Sequence, residues 1–96
     1  FLPAVVRFNA QAESVQKEKR LERMAHAMGL ASAGDIPEAI RDMNARLGLP
    51  TGLAAMGVNE AMFDDIIKGA MADHCHKTNP RIATPEEYRD MLAQSL

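Results

Sequence analysis

Asp73-His74-Cys75-His76-Lys77-Thr78-Asn79-Pro80-Arg81, followed shortly by Thr84-Pro85-Glu86-Glu87, is the stretch on which the reading of the fold turns. Pro80 drives Asn79 out of the α region and removes a backbone donor, so no helix runs through Asn79-Pro80-Arg81. Thr84 is an N-cap, Pro85 fits the first helical position, and Glu87 completes a capping box. A helix therefore ends near Asp73 and another begins at Thr84, with a stiff loop between them. That loop carries the chain's only cysteine and two of its three histidines in consecutive positions. Reactive side chains held in such a loop suggest the rim of a site.

Outward from this loop the helical period dominates and no convincing strand appears. Upstream, Asn59 predicts the cap of a helix with Met62, Ile66 and Ala70 in one row and Phe63, Ile67 and Met71 in the next. Gly69 inside it costs about 1 kcal/mol against Ala, and close helix packing there is the simplest reason for it. Leu2 to Phe8 reads as the end of a helix begun upstream. Ser14 to Met28 reads as one helix with the stripe Val15, Leu21, Met24, Ala25 and Met28, ended by Gly29. Asp35-Ile36-Pro37-Glu38 predicts another, with Asp35 as cap and Glu38 reaching back. Its stripe is Ile36, Ala39, Ile40, Met43 and Leu47, and Gly48 stops it. Leu49-Pro50-Thr51-Gly52 reads as a turn, and Leu53 to Met56 as one short helical turn before Gly57. Tyr88, Met91 and Leu92 face inward on the last helix. The expected fold class is all-α, a bundle of about five to six helices forming one domain over residues 1–96.

Composition narrows the function. A net charge of −2 lacks the basic surface that a general nucleic-acid binder needs. Lys17, Lys19, Arg20 and Arg23 alternate with Glu13, Glu18 and Glu22, which is the pattern of a solvated helix face. One cysteine makes no internal disulfide, and with no signal peptide visible the expected location is the reducing cytoplasm. No apolar run is long enough for a membrane span. The opening Phe1-Leu2-Pro3-Ala4-Val5-Val6 is apolar and uncapped. It is expected to lack a partner helix and to promote self-association.

The loop's chemistry has several readings. His74, Cys75 and Asp73 are zinc-type ligands, but three consecutive residues do not easily surround one ion, and spacing argues against a self-contained site. Cys75 with a neighbouring histidine has the makings of an activated nucleophile, although such pairs are assembled in space and not from neighbours. The plainer account makes Cys75 a small buried residue at a helix C-terminus that His74 and His76 favour electrostatically. His26 lies among Met24, Ala25, Ala27 and Met28 and reads as a packing or surface residue. Asn79 is suited to bond local backbone, and Arg81 to clamp a carboxylate or helix-end carbonyls.

Two marks fall in one order: Leu2-Pro3-x-Val5-x-Arg7-Phe8-Asn9, then Asp73-x-Cys75-x-x-x-Asn79-Pro80-Arg81 with a capped terminal helix. Between them lie Leu47-Gly48-Leu49-Pro50, Leu53 and Met56-Gly57-Val58. Together they resemble the C-terminal region of the iron-containing (group III) alcohol dehydrogenases, across essentially the whole chain.

The resemblance implies a parent protein that interconverts alcohols with aldehydes or ketones. In it an N-terminal α/β domain binds NAD or NADP, and helices carry a divalent metal, iron or zinc, on one Asp and three His. The metal polarises the alcohol oxygen and hydride passes to the nicotinamide. The last histidine ligand is expected about two or three helical turns upstream of Phe1. By this pattern residues 1–96 hold no metal ligand, no cofactor-binding residue and no catalytic acid or base. Cys75 matches a cysteine near the family's catalytic cleft and is the one expected substrate-cleft residue; the roles of His74 and His76 stay open. The expected partners are the parent's nucleotide-binding domain, its metal-bearing helices and a small alcohol or aldehyde, with neither nucleic acid nor membrane. The chain alone is expected to be inactive. The alternative is an independent, non-catalytic helical interaction domain, and Cys75 discriminates: cleft-facing in the first reading, buried or incidental in the second.

Overall fold

In the computed structural model, which describes all 96 residues, the chain is entirely helical. Six α-helices are joined by 3-10 turns and short loops: α1 Leu2–Asn9, α2 Glu13–Lys17, α3 Arg20–Ala27, α4 Ile36–Arg46, α5 Phe63–Ala72 and α6 Pro85–Ala93. No helix is long and apolar enough to cross a membrane.

The helices lie side by side in the spatial order α3, α4, α1, α6, α5. Three small apolar clusters join them. Ala25, Ile36 and Ile40 pack with Val6 and Leu21; Ala4 and Phe8 pack with Ala83 and Met91; Phe63 and Ile67 pack with Leu92. Tyr88 touches both of the last two clusters. α1 is thus the middle plank. Val6 on one side meets α3 and α4, and Ala4 and Phe8 on the other meet α6. This corrects the expectation that the apolar start lacks a partner helix: Val5 and Val6 are packed against the clusters, and only Phe1 and Leu2 of the stretch stand exposed. The slab measures 38 × 32 × 18 Å, about two helix diameters thick, and buries only 14 residues.

Several expected elements change at their ends. The helix anticipated from Ser14 to Met28 is two, because Lys19 adopts a left-handed φ of 50°. The physical reason lies in the stripe. Three and four residues after Val15 stand Glu18 and Lys19, so nothing apolar holds that turn to the core. Val15 and Ala25 are buried as expected, whereas Met24 and Met28 are exposed. The α4 entry is also built differently. Asp35 does not cap Ile36; its carboxylate turns back to accept from the Ser32 backbone N–H at 3.1 Å, closing a 3-10 turn Ala33–Asp35 ahead of α4. Glu38 does not reach back either, because it pairs with Arg7 of α1 at 2.6 Å and Arg41 at 3.5 Å.

Other expectations hold. Gly29 and Gly48 end their helices at φ of 73° and 70°, and Ala54–Met56 is a single 3-10 turn closed by Gly57. The Asn59 carboxamide caps the 3-10 turn Glu60–Met62 that leads into α5, accepting from Ala61 N–H at 3.0 Å. Of the two α5 rows, Phe63 and Ile67 are buried, while Met62 and Ile66 are exposed. Thr84 and Glu87 form the anticipated capping box. Gly52 is required by a close approach. The backbone N–H groups of Leu53 and Ala54 donate to the carbonyls of Ser95 and Leu96, so a Cβ at position 52 would collide with the Leu96 carbonyl.

The Asn9 and Asn79 carboxamides bond each other in both directions, at 2.7 and 3.1 Å, across 70 residues of sequence. Losing one partner leaves the other's half-buried amide unsatisfied, at about 1–3 kcal/mol. In urea unfolding, Asn9→Ala and Asn79→Ala should therefore be non-additive. A double-mutant coupling of about 1 kcal/mol or more is expected; additive losses would show that the two amides contribute independently.

Candidate functional site

The joint between α5 and α6 begins where α5 runs out of apolar residues at Asp73. Asp73 is extended, and its Oδ1 accepts the Cys75 backbone N–H at 2.7 Å, which nucleates the 3-10 turn His74–Thr78. Thr78 closes that turn by donating its hydroxyl to the Cys75 carbonyl. Asn79 leaves it in extended conformation, as the following proline demands. Its carboxamide donates both to Asn9 Oδ1 and to the Arg81 carbonyl. Arg81 stacks its guanidinium 4.1 Å over the Phe8 ring, donates to Gln11 Oε1 at 3.0 Å and pairs with Glu87. Glu87 in turn accepts the Thr84 backbone N–H through its other oxygen. The expected roles of Asn79 and Arg81 as structural clamps are met, and the two sequence marks that carry the family resemblance touch here.

Beside this joint opens a hollow of about 410 Å³. Its volume lies in the range of small-molecule sites. Val5 and Phe8 of α1, Gly69 and Ala70 of α5, and Met91 of α6 give it apolar walls. Cys75, His76, Asp73, Asn79 and Tyr88 supply its polar atoms. Cys75 is exposed and lines this hollow, so the plainer account of it as a buried thiol does not hold. Gly69 is not explained by close helix packing: a Cβ there would meet nothing within 4 Å, and the position faces the hollow.

His74 and His76 part company. His74 points into solvent, 91% exposed, and His76 is half-buried against α6. His76 Nδ1 lies 3.0 Å from the Tyr88 hydroxyl, with the two rings tilted 44° to each other. Sequence reasoning placed Tyr88 inward but missed this pairing. The only signal was that Tyr88 stands one turn past the Thr84 cap, on the side of α6 that returns to the loop. His26 sits exposed on α3, far along the chain from this cluster.

The donor atoms of Asp73, His74 and Cys75 lie within 4.8 Å of one another. Spacing alone argued against this; Asp73, reaching forward to cap Cys75, is what gathers them. They satisfy one another, with Cys75 Sγ 3.4 Å from His74 Nε2 and His74 Nδ1 3.6 Å from Asp73. One imidazole, one thiol and one carboxylate do not match the one-Asp, three-His set that the resemblance implies for the family's metal. The electrostatics are those of a protonated thiol. The Cys75 backbone N–H holds the Asp73 carboxyl below its ordinary value. The Asp73 carboxylate, by hydrogen bond and by charge, pushes the Cys75 thiol up. Burial, with a smaller contribution from Asp73, raises the Tyr88 phenol.

Residues 1–96 match in full the family described as the Fe-containing alcohol dehydrogenase family, C-terminal. The chain belongs to the iron-containing alcohol dehydrogenase family. Its relatives include 4-hydroxybutyrate dehydrogenase of Cupriavidus necator, 55% identical over 95 residues that cover 99% of this chain and 25% of the relative. NAD-dependent methanol dehydrogenase of Bacillus methanolicus is 31% identical over 99% of this chain and 26% of the relative. The bifunctional aldehyde-alcohol dehydrogenase of Escherichia coli K12 is 28% identical over 92% of this chain and 12% of the relative. The chain thus spans about a quarter or less of these curated relatives. No solved structure matches it. In this chain the Arg7-Phe8-Asn9 and Asn79-Pro80-Arg81 segments form one physical joint.

Cys75 should alkylate slowly for an exposed thiol, because only the thiolate reacts. Asp73→Asn keeps a capping acceptor but removes the charge. The expected outcome is a pH profile of iodoacetamide labelling that shifts to lower pH, with faster labelling near pH 8. An unchanged profile would show that Asp73 does not control the thiol.

Proposed function

We propose that this chain is the C-terminal helical part of a metal- and NAD(P)-dependent alcohol dehydrogenase, and that the substrate is an ω-hydroxy carboxylic acid of the 4-hydroxybutyrate kind. The observation that carries the substrate class is the 55% identity with 4-hydroxybutyrate dehydrogenase, against 31% with the methanol enzyme. The enzyme interconverts the hydroxyl and carbonyl forms of its substrate. The nucleotide, NAD or NADP, and the divalent metal, iron or zinc, are held by residues outside these 96. Asp73, His74 and Cys75 are not assigned as metal ligands, and no residue here is assigned as acid or base. The part played by this chain is to close one side of the substrate cleft, with Cys75 lining it.

Cys75 supports this reading over an independent interaction domain, because it is exposed and faces a hollow of substrate size. The thin slab supports it too: Phe1, Leu2, Met62 and Ile66 are exposed apolar groups suited to being covered by the nucleotide-binding domain and the metal-bearing helices. Alone, the chain is inactive and self-associates through that surface. In the whole protein it works in the cytoplasm.

The test is turnover by the whole protein with NAD or NADP, iron or zinc, and a panel of 4-hydroxybutyrate, 1-butanol and methanol. Preference for the hydroxy acid is expected; no oxidation of any alcohol, or turnover by the 96-residue chain alone, overturns the reading. Cys75→Phe in the whole protein should raise KM severalfold and change stability by no more than about 0.5 kcal/mol, as at other exposed positions. Unfolding with unchanged kinetics of the surviving fraction would make Cys75 a structural residue.

A further inference from the structure

We propose that His76, braced by Tyr88, is the specificity-determining group that receives the substrate's carboxylate; this rests on the hydroxy-acid reading above. The hydrogen-bond capacity around the hollow is nearly all in use. Asn79 is spent, because its amide donates to Asn9 and Arg81 and its oxygen accepts from Asn9. Asp73 is spent on the Cys75 backbone and is an anion, so it offers a carboxylate nothing. The Cys75 thiol is a weak donor already in contact with His74. His76 is different: Nδ1 meets Tyr88, and Nε2 has no protein partner.

Tyr88 braces His76 through Nδ1, and with the phenol as donor it sets what the ring offers. Its phenol, a protonated hydroxyl 3.0 Å from Nδ1, can donate to that nitrogen. A neutral imidazole that accepts at Nδ1 must carry its proton on Nε2. That leaves one N–H without a protein partner on a residue lining the hollow, whose other polar side chains are already engaged or anionic. An uncharged alcohol gains little from this group, whereas an ω-hydroxy acid gains a charge-assisted hydrogen bond at the end remote from its hydroxyl. His76 thereby discriminates between substrates without touching the reacting atoms.

The experiment uses the whole enzyme and three variants. His76→Asn keeps an amide where Nδ1 meets Tyr88 and deletes the Nε2 donor. His76→Gln keeps a donor near Nε2, and Tyr88→Phe removes the brace. For His76→Asn, kcat/KM for 4-hydroxybutyrate should fall about 10- to 100-fold, the size of one hydrogen bond to a charged group. The loss should lie in KM, and 1-butanol should change less than about twofold. Butyrate, which has the carboxylate but no hydroxyl to oxidise, should bind the variant correspondingly more weakly by calorimetry. His76→Gln should recover part of the loss, and Tyr88→Phe should lose selectivity in the same direction. Equal losses for both substrates, or unchanged butyrate affinity, overturn the proposal. If the unaltered enzyme prefers the hydroxy acid and His76→Asn keeps that preference, only this inference fails; if the unaltered enzyme shows no such preference, the substrate reading fails first and takes this one with it.

Discussion

The reciprocal carboxamide pair between Asn9 and Asn79 is the contact around which this chain is organised. It joins the end of α1 to the loop between α5 and α6, two segments far apart in sequence. Without it, α6 would lie against α1 mainly through a small apolar cluster, Ala4, Phe8, Ala83 and Met91 with Val5 and Tyr88 beside them. Two of the buried four are alanines, which bury little area and hold no unique angle. The amide pair and the Arg81 guanidinium over Phe8 supply the missing direction. Arg81 then passes the constraint to Glu87, whose second oxygen starts α6. A helix start, a loop shape and a helix–helix contact share one set of hydrogen bonds.

This economy follows from how little core the chain has. Three clusters of three or four buried residues do not make one continuous interior. A domain of this size buries a smaller fraction of its surface than a larger one, and native domains are stable by only about 5–15 kcal/mol. Polar joints that would be minor in a large core are decisive here. The surface ion pairs are not equivalent to them: Arg7 with Glu38 and Arg89 with Asp64 are solvent-exposed and contribute little.

What was legible in the sequence was whatever local chemistry decides. The Thr84 capping box, the Asn59 cap and the glycine stops depend on neighbours within a few residues, and they stand as read. The clamp roles of Asn79 and Arg81 were legible because proline leaves that loop few shapes. What failed was whatever a distant partner decides. Glu38 has a capping spacing, yet Arg7 of another helix takes it. Met24 and Met62 sit at apolar spacings, yet nothing in this chain covers them. Gly69 looked like a packing glycine because sequence cannot show that the space beside it is open. At the candidate site, the match to a family pattern singled out Cys75, which lines the hollow, whereas the His76–Tyr88 contact depends on how α6 returns and was invisible.

The loop divides its residues by what their hydrogen bonds are used for. Asp73, Thr78, Asn79 and Arg81 spend theirs holding the chain in shape. Cys75 and His76, between them in sequence, face the hollow with capacity left over. A 3-10 turn makes this division possible, since three residues per turn place residues 75 and 78 on one side and leave 76 to swing toward α6. Because the frame is closed by other side chains, changes to the side chains at positions 75 and 76 disturb the joint little. Positions 73, 79 and 81 have no such freedom, because their side chains are the joint.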